Sequence, residues 1–132
     1  LEVMSKSVFQ SGMSWKVVEA KWEGFQSAFD GFDAEKVAAY DSRDVERLMQ
    51  DEGIIRNRRK IEATIHNAQT MLEIEDEFGD FRDYLRSEGD FEAVVKDLRK
   101  RFKFMGETGS YVFLYVVGEQ VPPHDEWRKS RE

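Results

Sequence analysis

The chain has 132 residues, a net charge of −7 and no cysteine. That length suits one domain with one core, and the missing thiols exclude disulfides and thiolate metal sites. The acidic balance argues against a general nucleic-acid coat protein but not against a DNA enzyme, because local patches decide binding.

No apolar run approaches the ~20 residues of a membrane span, and no signal pattern opens the chain. With the absent cysteines this fits a cytoplasmic protein. Leu1 already lies inside a helical pattern, so residues are expected upstream of it. The spacing of Leu1, Met4 and Val8 predicts a first helix over 1–10, and Val18, Trp22, Phe25 and Phe29 predict a second over 14–29. Between them, Ser11-Gly12 stops the first and Ser14 caps the second. So short a loop projects Met13 at its tip, with Trp15 just inside the next helix. An exposed apolar tip of this kind suits insertion between bases as well as packing.

Asp33 is placed to cap a short helix over 34–40, and Ser42 another with Val45, Leu48 and Met49 inward, ended by Gly53. Asn57 caps a long helix over 58–78, stopped by Gly79. A short piece around Phe81, Tyr84 and Leu85 follows, ended by Gly89. The next helix spans 91–101, then a turn over 102–106 leads to a last helix over 107–117, stopped by Gly118. Tyr111–Val117 has strand propensity, but flanking glycines favour a buried helix. Residues 119–132 read as a polar tail on a single all-α domain of seven or eight short helices, packed as a compact orthogonal bundle. Two basic stretches, Arg56, Arg58, Arg59 and Lys60, then Lys96 to Lys103, each adjoin a hairpin-like break. They suit either solvated helix faces or a DNA backbone.

Three stretches in order, Gln10-x-Gly12-x-Ser14-Trp15, Glu52 to Ile61, and Phe102-Lys103-Phe104-Met105-Gly106-x-Thr108, resemble the 3-methyladenine DNA glycosylase I family. The likeness runs from about Met4 to Gly118. It implies the helix-hairpin-helix glycosylase fold, duplex DNA with alkylated bases as partner, a monomer, and no cofactor. The glycine-ended turn 102–106 feeds a helix whose free N–H groups seat a phosphate, helped by Lys103, Phe104, Gly106, Thr108 and Arg101, with Arg56 and Arg58 as further backbone contacts. Bifunctional relatives carry a Schiff-base lysine where this chain has Thr108, so the implied activity is monofunctional.

The resemblance further makes Gly12 and Met13 the wedge that fills the gap left by a flipped nucleotide. Trp15, Gln10, Ser7 and Tyr111 become base-pocket residues, with a core role for Tyr111 equally open. Extruding a base costs a few kcal/mol, and an aromatic such as Trp15 returns ~1–3 kcal/mol by stacking. Two departures stand out. Ser7 replaces the bacterial family's glutamate, and the family's Cys/His zinc site has no cysteine here and only His66 and His124. Asp125, beyond the last helix, is the one candidate for a substitute catalytic acid. A protein that binds lesions without turnover is the alternative reading.

Overall fold

The computed structural model describes residues 1–87, 89–119 and 121. Among them are nine α-helices and a single-turn 3₁₀ helix: α1 (Glu2–Gln10), α2 (Trp15–Ala20), α3 (Trp22–Ala28), the 3₁₀ turn (Asp30–Phe32), α4 (Ala34–Ala38), α5 (Ser42–Met49), α6 (Arg58–Phe78), α7 (Phe81–Ser87), α8 (Phe91–Arg101) and α9 (Glu107–Val116). The domain is all-α, and Tyr111–Val116 is helical rather than extended.

Most boundaries follow local chemistry. Asp33 accepts hydrogen bonds from the Glu35 and Lys36 amides at 3.0 and 3.3 Å, and Asn57 from the Lys60 amide at 3.2 Å, satisfying N–H groups that a helix start leaves unpaired. Gly79 ends α6 with φ +87°, where a side chain would be strained. Two expectations change. The cap of α5 is Asp41, in a reciprocal capping box with Asp44, and Ser42 is the first helical residue. The helix expected over 14–29 is broken at Lys21. That break turns α3 so that Trp22 Nε1 donates to Glu2 Oε2 at 2.8 Å. It also lets Gly24 press on Gly53, where a Cβ would stand 2.1 Å from the Gly53 carbonyl oxygen.

α6 is the axis of the domain. Its 21 residues span about 30 Å, and both flanks are covered. Ile61, Ile65 and Ala68 join Phe9, Phe25, Phe29, Phe32 and Leu48 in one core. Ala63, Met71 and Ile74 join Val8, Tyr84, Leu98, Phe102 and Leu114 in the other. α1 packs on α6 and α9, so the chain's first loop meets the turn between α8 and α9. The start of the expected polar tail is tied down: the Glu119 amide donates to the Leu114 carbonyl at 2.9 Å, and its carboxylate lies 3.5 Å from Arg86.

Candidate nucleic-acid interface

Where α1 ends and α9 begins, a cleft of about 400 Å³ opens between two lips. One lip is Ser7, Gln10, Ser11 and Gly12. The other is Phe104, Gly106, Thr108, Gly109 and Val112. A volume of this order is that of a small-ligand pocket. Gly12 takes φ +72°, which turns the chain sharply enough to leave Met13 39% exposed at the tip. Gly106 starts α9 without a side-chain cap, so the first amides of that helix keep their donors for something outside it.

Phe104, on the second lip, takes φ +59°, a left-handed conformation that costs a non-glycine residue about 1–2 kcal/mol. Two features hold it there. Arg59 stands over its ring, 6.0 Å from the centroid, and the preceding peptide is clamped by Asn67 of α6. Asn67 Nδ2 donates to the Lys103 carbonyl at 3.1 Å, and the Lys103 amide donates to Asn67 Oδ1 at 2.8 Å. The Lys103 side chain is exposed.

The opposite lip is tied to the same helix. Lys60 Nζ donates to the Phe9 carbonyl at 3.1 Å and also to the Ser11 carbonyl. Lys60 therefore leaves the basic stretch expected to face DNA and points inward, 5% exposed. Burial lowers its proton affinity below that of an ordinary lysine.

The predicted site residues divide. Ser7, Gln10, Gly12, Phe104, Gly106 and Thr108 line the cleft. Trp15 does not; it begins α2 beyond the loop, 59% exposed, next to the exposed Met13 and Val17. Tyr111 is 7% exposed and packs edge-on against Phe91 at 5.8 Å between ring centroids, the core role left open for it. Arg101 is engaged with Asp97 at 2.8 Å and covers the Tyr84 ring, while Arg58 is paired with Glu46 at 2.6 Å. Arg56 is exposed. Asp125 and His124 lie outside the described residues.

Sequence reasoning missed Asn67, the inward turn of Lys60, and the cleft walls Ser11, Gly109 and Val112. A polar Asn67 on the same stripe as Lys60 and Thr64, with Ala63 and Met71 one turn to either side, was the available signal. The described cleft side chains include no carboxylate. Glu2 and Glu19 line a neighbouring cavity that shares Ser7, Gln10 and Val112. Both are occupied: Glu2 accepts from Trp22 and Gln26, which holds its carboxyl below the usual range, and Glu19 pairs with Lys6 at 2.6 Å.

A Cys/His zinc site cannot be assembled from these 132 residues, which contain no cysteine. His66 is used otherwise, its Nε2 lying 3.3 Å from the Arg101 carbonyl. Among the described residues no group of acidic or histidine side chains is placed to hold a metal, and no helix is long and apolar enough to cross a membrane.

The family model for methyladenine glycosylase matches residues 1–93. DNA-3-methyladenine glycosylase 1 of Escherichia coli (strain K12) is 38% identical over an alignment covering 83% of this chain and 70% of that protein. The Haemophilus influenzae DNA-3-methyladenine glycosylase is 33% identical over the same shares. Among solved structures, the Staphylococcus aureus 3-methyladenine DNA glycosylase I, described for its recognition of 3-methyladenine, superposes with a TM-score of 0.79 at 30% identity. That superposition covers 89% of this chain and 73% of the other. The chain belongs to the methyladenine glycosylase family.

Proposed function

We propose that this chain is a monofunctional DNA N-glycosylase that extrudes 3-methyladenine, or a similar cationic alkylated purine, from duplex DNA and hydrolyses its glycosidic bond as a monomer. The observation that carries the reading is the shared cleft: the Gly12–Met13 loop and the uncapped start of α9 face one opening. The loop supplies an apolar tip to occupy the vacated stack. The α9 amides and the Lys103 ammonium supply the seat for a flanking phosphate. Trp15, outside the cleft lining and largely exposed on the far side of the loop, supplies a stacking face beside the cleft rather than within it.

The cleft walls favour a substrate that carries its own activation. General acid–base help is worth ~10²–10⁴ in rate, and Ser7 and Gln10 offer hydrogen bonds but no titratable group. A cationic purine leaves with the electron pair of the broken C1′–N bond and becomes neutral, needing no added proton. Water takes its place at C1′ and releases a proton to solvent. A neutral base, whose departure requires protonation, is not expected to be released. Thr108 forms no Schiff base with C1′, so the strand stays intact.

The lack of a carboxylate among the described side chains of the cleft also favours a second reading, a lesion-binding protein without turnover. Incubation with methylated duplex DNA, followed by chromatography of the freed bases, separates the two. Release of 3-methyladenine with uncut strands supports the enzyme. Tight binding to the damaged duplex with no freed base supports the binder. Strand cleavage without added base overturns the monofunctional assignment.

A further inference from the structure

We propose that Lys60 is a positioning residue of the extrusion step: by gripping the end of α1 from within, it sets the separation between the wedge loop and the hairpin corner that Asn67 holds on the same helix. The inference deepens the glycosylase reading and rests on its wedge.

The argument starts from the end of α1. Its last turn contains no basic residue, and the carbonyls there have no partner within the helix and carry the negative pole of its dipole. Lys60 supplies the missing cation from another element, reaching the Phe9 and Ser11 carbonyls on either side of Gln10. These two carbonyls bracket the point where helix becomes loop, so the ammonium determines where Gly12 and Met13 leave the protein surface. Burial alone weakens its hold on the proton, with no carboxylate contributing. A buried amine of this kind costs more than a methyl group of similar length unless its donors are used.

Asn67 completes the device. It lies seven residues further along α6, roughly 10 Å and almost two full turns away, so both side chains share one face. Asn67 is 1% exposed and fixes the Lys103 backbone through both the N–H and the C=O of that residue. One rigid helix thus holds both lips of the cleft, and the gap a flipped nucleotide must pass is measured along it. Displacing the wedge by an ångström is enough to cost up to about 100-fold in rate.

Because the chain has no cysteine, Lys60→Cys creates a unique thiol that can be alkylated in denaturant to an aminoethyl group and refolded, restoring an amine of nearly lysine length. Two readouts are needed. One is steady-state release of 3-methyladenine with kcat and KM separated. The other is the fluorescence of 2-aminopurine next to an abasic-site analogue, which reports wedge insertion without turnover. The expected result for Lys60→Cys is a 10- to 100-fold lower kcat and a reduced 2-aminopurine signal. Affinity for undamaged duplex should stay within about twofold, and aminoethylation should restore both readouts.

Lys60→Arg keeps the charge while lengthening the arm, and, once a thermal melt shows the variant folded, it too should lower kcat and the signal. Wild-type kcat and signal in Lys60→Arg overturns the proposal, as does aminoethylation that restores thermal stability without the signal. If the wild-type protein inserts its wedge but frees no base, the glycosylase reading fails and the fluorescence arm alone decides the role of Lys60. If it frees base without changing the fluorescence, the wedge role of Lys60 fails and the glycosylase reading stands; if it does neither, both fail.

Discussion

The wedge loop and the hairpin corner face each other across one cleft, yet α6 holds them by different chemistry. The hairpin is fixed by a neutral amide that both gives and accepts a hydrogen bond at Lys103, with Arg59 laid over Phe104. The loop is held by a charged amine that only donates, to two carbonyls that no helix turn satisfies. A reciprocal amide pair defines a peptide's position and orientation together. A single ammonium defines distance but lets the loop pivot. The difference matches the tasks proposed for the two lips, since a phosphate seat gains from rigidity and a wedge has to enter a duplex that it deforms.

The largest effect is expected from breaking the frame behind the loop. Gly24→Ala forces a Cβ into the Gly53 carbonyl, which only a shift of backbone can relieve, and should cost about 3 kcal/mol in urea denaturation. Next is Asn67→Leu, which strands the Lys103 N–H and C=O and should cost about 2 kcal/mol while weakening binding to undamaged duplex. If Asn67→Leu leaves duplex affinity unchanged, the contrast between a clamped and a pivoting lip is wrong.

A sharper test uses the strain at Phe104. Phe104→Ala and Phe104→Gly both remove the ring and its contact with Arg59, but only glycine is comfortable at φ +59°. Phe104→Gly should therefore be the more stable of the two by about 1 kcal/mol. Smaller in stability terms is Lys103→Ala, because Asn67 holds the backbone rather than the side chain of that residue. It should change stability by less than about 0.5 kcal/mol, yet reduce the slope of log K against log salt by about 0.9.

The smallest effect concerns the approach to the wedge. Hydrogen bonds from Trp22 and Gln26 hold the Glu2 carboxyl below its ordinary value of 4.5. A depressed carboxylate stabilises the fold above its unfolded pKa, and that contribution is lost as pH falls below 4.5 and through the folded value. Glu2→Gln should lower stability by a small constant amount near neutrality and flatten the acid limb of the stability profile below pH 4.5.

Local chemistry made much of the architecture legible from the chain alone. Asn57 and Gly79 bound α6 as expected, the 91–101 helix appears over the predicted span, and Gly118 turns the chain one residue beyond Val117, the cap of α9. Caps, stops and apolar spacing act within a few residues, so they can be read without knowing what packs where. The co-linear stretches around Gln10–Trp15, Glu52–Ile61 and Phe102–Thr108 likewise carried the family. Only the tertiary structure decided which side chains serve the cleft. Lys60 reads as part of a basic surface patch, but its partners lie 51 and 49 residues away, and the pull of those carbonyls draws it inside. Tyr111 is drawn against Phe91, Trp15 is left in solvent, and the helix over 14–29 breaks at Lys21 so that Trp22 reaches Glu2 and Gly24 meets Gly53. Each outcome depends on a surface brought from elsewhere in the chain, and spacing along one segment carries no information about what that surface will be.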